Sequence, residues 1–344
     1  MHQPTDEIEA RPADNDDGYE SDTESTTTSL ASILNKHTYE RGLRYHAFQD
    51  GKYPFPNDEN EQNRDDMKHA MIMELCEGKL YYAPIREEAP TILDLGTGTG
   101  IWLIEMGDKF QSAICQGVDL SPIQPPWVPP NVQFVVDDIE LPWTQKPDYF
   151  DYIHVRHTLP FVKDRPKLFE QAFQHLKPEG WIEFQEFEFF PASEDDSITS
   201  TPEHPYHFLD FMKFHKQAMT ALGADVTGVT KLQSELAAAG FTNIKEEVFK
   251  CPLGIWPKDK RLRLVGLYLR ESILDGLVGM AGRPFSAGLG WGKEEIEVFL
   301  AKVRTSLKDG SRHTYLPFRV VYAQKPKEKV QTKVSVSAVS LDNN

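Results

Sequence analysis

The segment Thr91-Ile-Leu-Asp-Leu-Gly-Thr-Gly-Thr-Gly100 leaves this chain few folds to choose from. Ile92, Leu93 and Leu95 make an apolar run of the buried-strand type, and Gly96, Gly98 and Gly100 then let the backbone turn tightly and approach a ligand. The turn runs into a helix over Ile101 to Phe110, whose N-terminus is expected to face a nucleotide-like cofactor. Spacing discriminates between cofactors. A dinucleotide fingerprint puts its third glycine five residues after the first, and that position is Ile101. A phosphate loop needs Gly-Lys-Ser/Thr, and no such tripeptide follows. Asp94 also places negative charge where a ligand ammonium is welcome and a pyrophosphate is not.

Asp-x-Gly-x-Gly-x-Gly, as it stands over Asp94 to Gly100, resembles the first motif of class I S-adenosylmethionine (SAM) methyltransferases. Two further strand ends fit. Ile114 to Asp119 reads as a second strand closing in an acid, 23 positions after Gly96 (119 − 96), where a carboxylate can accept from two ribose hydroxyls. Val132 to Ile139 reads as a third, ending in Asp137 and Asp138. The resemblance favours Asp138 for the adenine amine. The expected SAM-binding set is Asp94, Gly96, Thr97, Gly98, Gly100, Asp119, Leu120, Asp138 and Ile139; no metal is expected.

Strand and helix patterns alternate along the rest of the chain. Residues 58–80 read as a helix with Met67, Met71 and Leu75 on one side, and Arg41 to His46 is placed across the cofactor mouth. A fourth strand covers Phe150 to Val155, a helix Leu168 to Leu176, a turn Lys177 to Gly180, and a fifth strand Trp181 to Phe187. Helices follow at 204–222, 258–280 and Lys293 to Leu307, with strands at Ile244 to Phe249 and Tyr315 to Ala323. Gly276 to Gly292 reads as a mobile loop. This order implies an α/β, doubly wound, mostly parallel sheet. The class I, Rossmann-like resemblance implies seven strands, the last inserted antiparallel, and a helical substrate lid around 190–310.

With 344 residues and 40% hydrophobic content, the chain can bury a large core. It has no run of about 18 apolar residues for a membrane span and no signal-peptide core. Cys76, Cys115 and Cys251 are odd in number and far apart, which points to neither a disulfide framework nor a zinc site and suggests a reducing intracellular compartment. Residues 1–30 hold nine acids and one base, so they carry −8 of the net −16. Together with the Ser/Thr run at 25–29, this marks a disordered tail. The balance argues against direct nucleic-acid binding. The expected organisation is a tail over 1–37, one SAM-dependent domain over 38–325 and a flexible tail over 326–344.

A narrower resemblance rests on Tyr45-His46, Gly51-Lys-Tyr53, Pro56-Asn-Asp-Glu59, Gly96 to Trp102, Asp119 to Pro130 and His175 to Trp181. Together these resemble fungal LaeA-like methyltransferases from about residue 38 to 325, with Glu179 standing where the family more usually has glycine. The resemblance implies a regulator of secondary metabolism or development, located in nucleus or cytoplasm, with velvet-type or other nuclear partners. It equally admits a tailoring enzyme for a small metabolite, or a scaffold that keeps the fold and binds partner proteins.

The sulfonium methyl of SAM is already activated, so the protein has to align the acceptor and, where needed, remove a proton. His154, Arg156 and His157 at the fourth strand's exit are the catalytic candidates, His157 first because it falls just past the strand end. Gln185, Glu186 and Glu188, after the fifth strand, are placed to face an acceptor but read rather as solvated strand-end groups. No Asn/Asp-Pro-Pro-Tyr/Phe sequence follows the fourth strand, so base or glutamine N-methylation is not indicated.

Overall fold

A hairpin, β1 (His37–Glu40) and β2 (Leu43–His46), and a long helix, α1 (Glu59–Leu75), precede the main sheet. The computed structural model describes residues 37–86, 88, 90–195 and 198–327; the acidic tail and nearly all of the C-terminal stretch lie outside them. Asp58 starts α1 by accepting from the Glu61 N–H at 3.1 Å, which satisfies one of the free donors of the first turn.

The parallel part of the sheet alternates β3 (Thr91–Leu95), α2 (Ile101–Lys109), β4 (Ile114–Asp119), β5 (Val132–Val136), β6 (Phe150–Arg156), α3 (Arg165–His175) and β7 (Leu176–Phe187). Then come β8 (Ala192–Ser193), α4 (His207–Ala221), α5 (Leu232–Ala238), β9 (Thr242–Pro252), α6 (Lys260–Arg283), α7 (Lys293–Leu307) and β10 (Thr314–Gln324). The spatial order is β5-β4-β3-β6-β7-β10, with β9 beside β10 and antiparallel to it. These are the seven strands expected. The two-residue β8 adds an eighth by pairing with the start of β10.

All five residues of β3 are buried because the sheet is covered on both faces. Successive side chains go to opposite sides. Ile92 joins Trp102, Met106 and Met71 in one core, while Leu93 and Leu95 join Phe169, Phe184 and Leu236 in the other. Each fully buried aliphatic contributes about 1.5–3 kcal/mol.

Two local readings change. Gly276 to Gly292 is not a loop: α6 runs on to Arg283 and a π-type turn covers Pro284–Gly288. Gly276 serves close helix packing, since a Cβ there would stand 2.7 Å from Cδ of Arg64 on α1. The turn expected at Lys177 to Gly180 is a bulge inside β7, where the ladder with β6 skips from Leu176 to Trp181. Glu179 sits there at φ +66, a left-handed backbone that an L side chain resists. It is held by its N–H to the Lys325 carbonyl and by Gln324 Nε2 to its own carbonyl, both at 2.9 Å. Glu179→Gly is therefore expected to stabilise the fold by about 0.5–1 kcal/mol. A melting point lower than that of the wild type would contradict this.

Candidate active site

A cleft opens beyond the C-terminal ends of β3, β4, β5 and β6, at the place where strand order reverses on either side of β3. Gly96 and Gly98 line it with φ of +72° and +57°, and the Gly96 and Thr97 N–H groups donate to the Val118 carbonyl at 2.8 and 3.1 Å. Asp119, at the end of β4, accepts from the Gly98 N–H at 2.8 Å and the Ser121 N–H at 2.9 Å, one on each carboxylate oxygen. Each oxygen keeps a lone pair for a ligand hydroxyl.

Of the residues expected from sequence, Gly96, Thr97, Gly98, Asp119, Leu120, Asp138, Ile139, Arg156 and His157 meet on this cleft. Asp94, Gly100 and His154 do not. Asp94 faces His154 in the β3–β6 register, and its carboxylate is taken by His154 Nδ1 at 2.8 Å and by the Thr97 hydroxyl at 2.6 Å. It braces the turn and does not wait for a ligand ammonium. His154 has no solvent exposure and stacks on Trp102 at 3.5 Å between ring centroids, so no acceptor reaches it. Gly100 is needed for packing: a Cβ there would fall 2.3 Å from the Phe134 ring.

Sequence reasoning missed the cover of the cleft. None of its lining residues comes from 190–310, where the lid was expected; Lys52, Tyr53, Pro56 and Asn57 line it, with Gln62, Asp65, Lys68 and His69 of α1. The hairpin segment Arg41 to His46 also lies outside the lining, and the chain that follows it forms the cover. The later helices stand behind that cover: His215 of α4 stacks between Phe55 and Phe189 at 6.0 and 5.7 Å. Lys52 bonds both carboxylate oxygens of Asp138, which is 5% exposed.

Beyond the glycine turn the cleft is lined by charged side chains. Arg156 donates to Nδ1 of His69 at 3.1 Å, while its buried Nη1 has no partner among the described residues. Lys68 pairs with Asp65 at 2.6 Å, and Asp65 Oδ2 is the nearest atom, at 3.8 Å, to where a Cβ on Gly98 would stand. His157 stacks on Phe187 at 5.3 Å with φ +55°, and its buried Nε2 is unpartnered among the described residues. Burial, and then the charges of Lys68 and Arg156, hold its pKa well below the usual histidine value, so the ring is neutral. Gln185 and Glu186 are buried rather than solvated. Glu186 accepts from the Thr158 and Leu159 N–H groups, both at 2.9 Å, and so fixes the loop after His157; burial raises its pKa to about 8. Glu188 pairs with Arg319 at 2.7 Å.

A methyltransferase-domain family profile matches residues 67–246. Methyltransferase pytC of Aspergillus terreus is 39% identical over 89% of this chain and 93% of its own length. Protein-methionine methyltransferase laeA of Emericella nidulans is 34% identical over 86% and 78%, and secondary metabolism regulator LAE1 of Cochliobolus heterostrophus 32% over 86% and 96%. The chain belongs to the LaeA-like methyltransferases.

Methyltransferases of this kind draw the methyl group from SAM. The donor set fits that molecule, because the LaeA-like chain offers a strand-end carboxylate with free lone pairs beside a glycine turn that is open at Gly98. Burial raises the Asp119 pKa to about 6, only partly opposed by the Gly98 and Ser121 N–H groups. Ribose hydroxyls donate best to the ionised carboxylate, so affinity should be complete above about pH 7 and fall as pH drops through 6. The loss approaches roughly tenfold per pH unit for one linked proton. Calorimetric titration with S-adenosylhomocysteine (SAH) from pH 5 to 8 reads this directly. A flat profile between pH 5 and 7 would remove Asp119 from the ribose contact.

Proposed function

We propose that this methyltransferase acts in the control of fungal secondary metabolism, as a LaeA-type regulator in nucleus or cytoplasm that works with velvet-type or other nuclear partners. The observation that carries the reading is the 34% identity to laeA over 78% of that protein's length. Asp119 takes the ribose hydroxyls, Asp138 the adenine amine, and the Gly96 to Gly98 turn passes under the methionine end, where Asp65 and Arg156 supply opposite charges. When bound, SAM supplies an activated methyl group. The protein's part is to hold the acceptor in line with it and, for a protic acceptor, to take a proton at Nε2 of His157. Burial and the charges of Lys68 and Arg156 keep that ring neutral, and Glu186 anchors the loop that follows it.

The acceptor decides how much of this machinery is used. A thioether sulfur, the acceptor that the name of laeA implies, carries no proton, so alignment alone suffices. A hydroxyl or amine needs a base. A small-metabolite acceptor is the second reading, favoured by the 39% identity to pytC. Incubating the protein with methyl-labelled SAM and with separate protein and metabolite extracts tests both. Label in protein supports the regulator, and label confined to small molecules supports the tailoring enzyme. SAH binding without label in either fraction would leave the scaffold reading.

A further inference from the structure

Asp138 lies just past β5, almost wholly buried, and Lys52 Nζ bonds both oxygens of its carboxylate across 86 residues of sequence. The same ammonium stands 2.8 Å from Glu140. Lys52 belongs to a short connection between β2 and α1 that is fastened at both ends. His46 Nδ1 shares a hydrogen bond with the Phe48 carbonyl at 2.7 Å, and Arg283 of α6 bonds Asp50 at 3.0 Å. At the other end the Asn57 N–H donates to the Arg44 carbonyl at 2.8 Å, and Asn57 Nδ2 to the Ser121 hydroxyl at 3.3 Å. Between the fastenings, Gln49 and Gly51 take left-handed φ of +56° and +85°, the second directly before Lys52.

An adenine amine and a lysine ammonium make the same demand of a carboxylate, an oxygen free to accept an N–H. Here Lys52 bonds both oxygens and so sits across the open edge of the carboxylate, and Glu140 N–H donates to one of them as well at 3.0 Å, which leaves a single lone pair of the four. We propose that Lys52 competes with the adenine amine of the methyl donor for Asp138, so that donor entry requires the strap over residues 48–57 to release this carboxylate. This rests on the reading of Asp138 as the adenine acceptor. Glu140 makes the release feasible, because the ammonium stays paired with a carboxylate when it leaves Asp138. The strap also carries Tyr53, packed edge-on against Phe161 at 4.7 Å, so its movement opens the apolar side of the cleft together with the polar side. Cofactor loading is thereby coupled to the N-terminal segment and, through Arg283, to the end of α6.

The test compares wild type, Lys52→Met, Lys52→Gln and Asp138→Asn, each titrated with SAH and with its inosine counterpart, which carries a carbonyl where adenine has its amine. Thermal melts establish that each variant is folded; Lys52→Gln keeps a neutral donor beside Asp138 should the methionine variant fail to fold. Removing an internal competitor that occupies Asp138 most of the time should tighten SAH by about tenfold or more. The gain should be confined to SAH, with the inosine compound improved much less, and should be absent when Lys52→Met is combined with Asp138→Asn. Unchanged SAH affinity in both Lys52 variants would overturn the proposal, and weaker affinity would make Lys52 a clamp on the bound donor instead. Failure of the underlying reading looks different: wild type and Asp138→Asn would then bind SAH and the inosine compound equally well.

Discussion

His157→Ala is expected to leave SAH affinity within about twofold of wild type while slowing methyl transfer to a hydroxyl or amine acceptor by roughly 10²–10⁴-fold. His157 lines the cleft, its Nε2 is buried and without a partner among the described residues, and its stacking on Phe187 fixes the ring plane. Because burial and the neighbouring Lys68 and Arg156 charges hold the pKa well below the usual value, the imidazole is already in its proton-accepting form at neutral pH. The turnover profile should therefore show no histidine titration between pH 6 and 8. His154→Ala is a control of a different kind, since that residue braces Asp94 and Trp102 and its loss should appear first as lowered stability. The experiment also reports on the acceptor: a thioether substrate should lose less than about tenfold, because there is no proton to remove. Full activity of His157→Ala on a protic acceptor would return catalysis to alignment alone.

Asp119→Ala should weaken SAM and SAH by about 2–3 kcal/mol, roughly 30–150-fold, since hydrogen bonds to a charged group contribute about 1.5–3 kcal/mol. Part of that loss is indirect. The carboxylate receives the Gly98 and Ser121 N–H groups, so its removal frees the glycine turn as well as taking away the proposed ribose contact. Asp119→Asn separates the two, because an amide oxygen can still accept from one N–H but loses the charge. Calorimetry on both variants checks this, and SAH binding undiminished in Asp119→Ala would exclude the residue from the cofactor site.

The sheet was legible because its signals are local. The Ile92 to Gly100 segment, the acids at 119 and 138 and the alternation of strand and helix each depend on short stretches whose chemistry has few structural solutions. What was missed depends on pairing across the chain. Asp94 and His154 each looked free to act, yet they are register neighbours on adjacent strands and satisfy one another. Lys52 stood in the Gly51-Lys-Tyr53 mark of the family resemblance, but nothing local named its partner, which lies 86 positions away. On α1 the apolar side was visible in Met67, Met71 and Leu75, but nothing local marked Asp65, Lys68 and His69, which face the cleft only because the sheet lies beside them. Gly276 looked like a loop residue because nothing local announces that Arg64 packs against it.

The position of β10 has a consequence for how the protein is made. It is the last strand among the described residues, yet it lies inside the sheet, hydrogen-bonded to β7 on one side and β9 on the other. During synthesis β3 to β7 can assemble as they emerge, while the slot between β7 and β9 stays open until residue 324 has left the ribosome. Two unpaired strand edges are exposed through that interval, which is the situation most prone to wrong strand addition. Slowed translation over residues 253–313, or a stop within them, should therefore divert this protein to chaperones or aggregates rather than yield a smaller working enzyme.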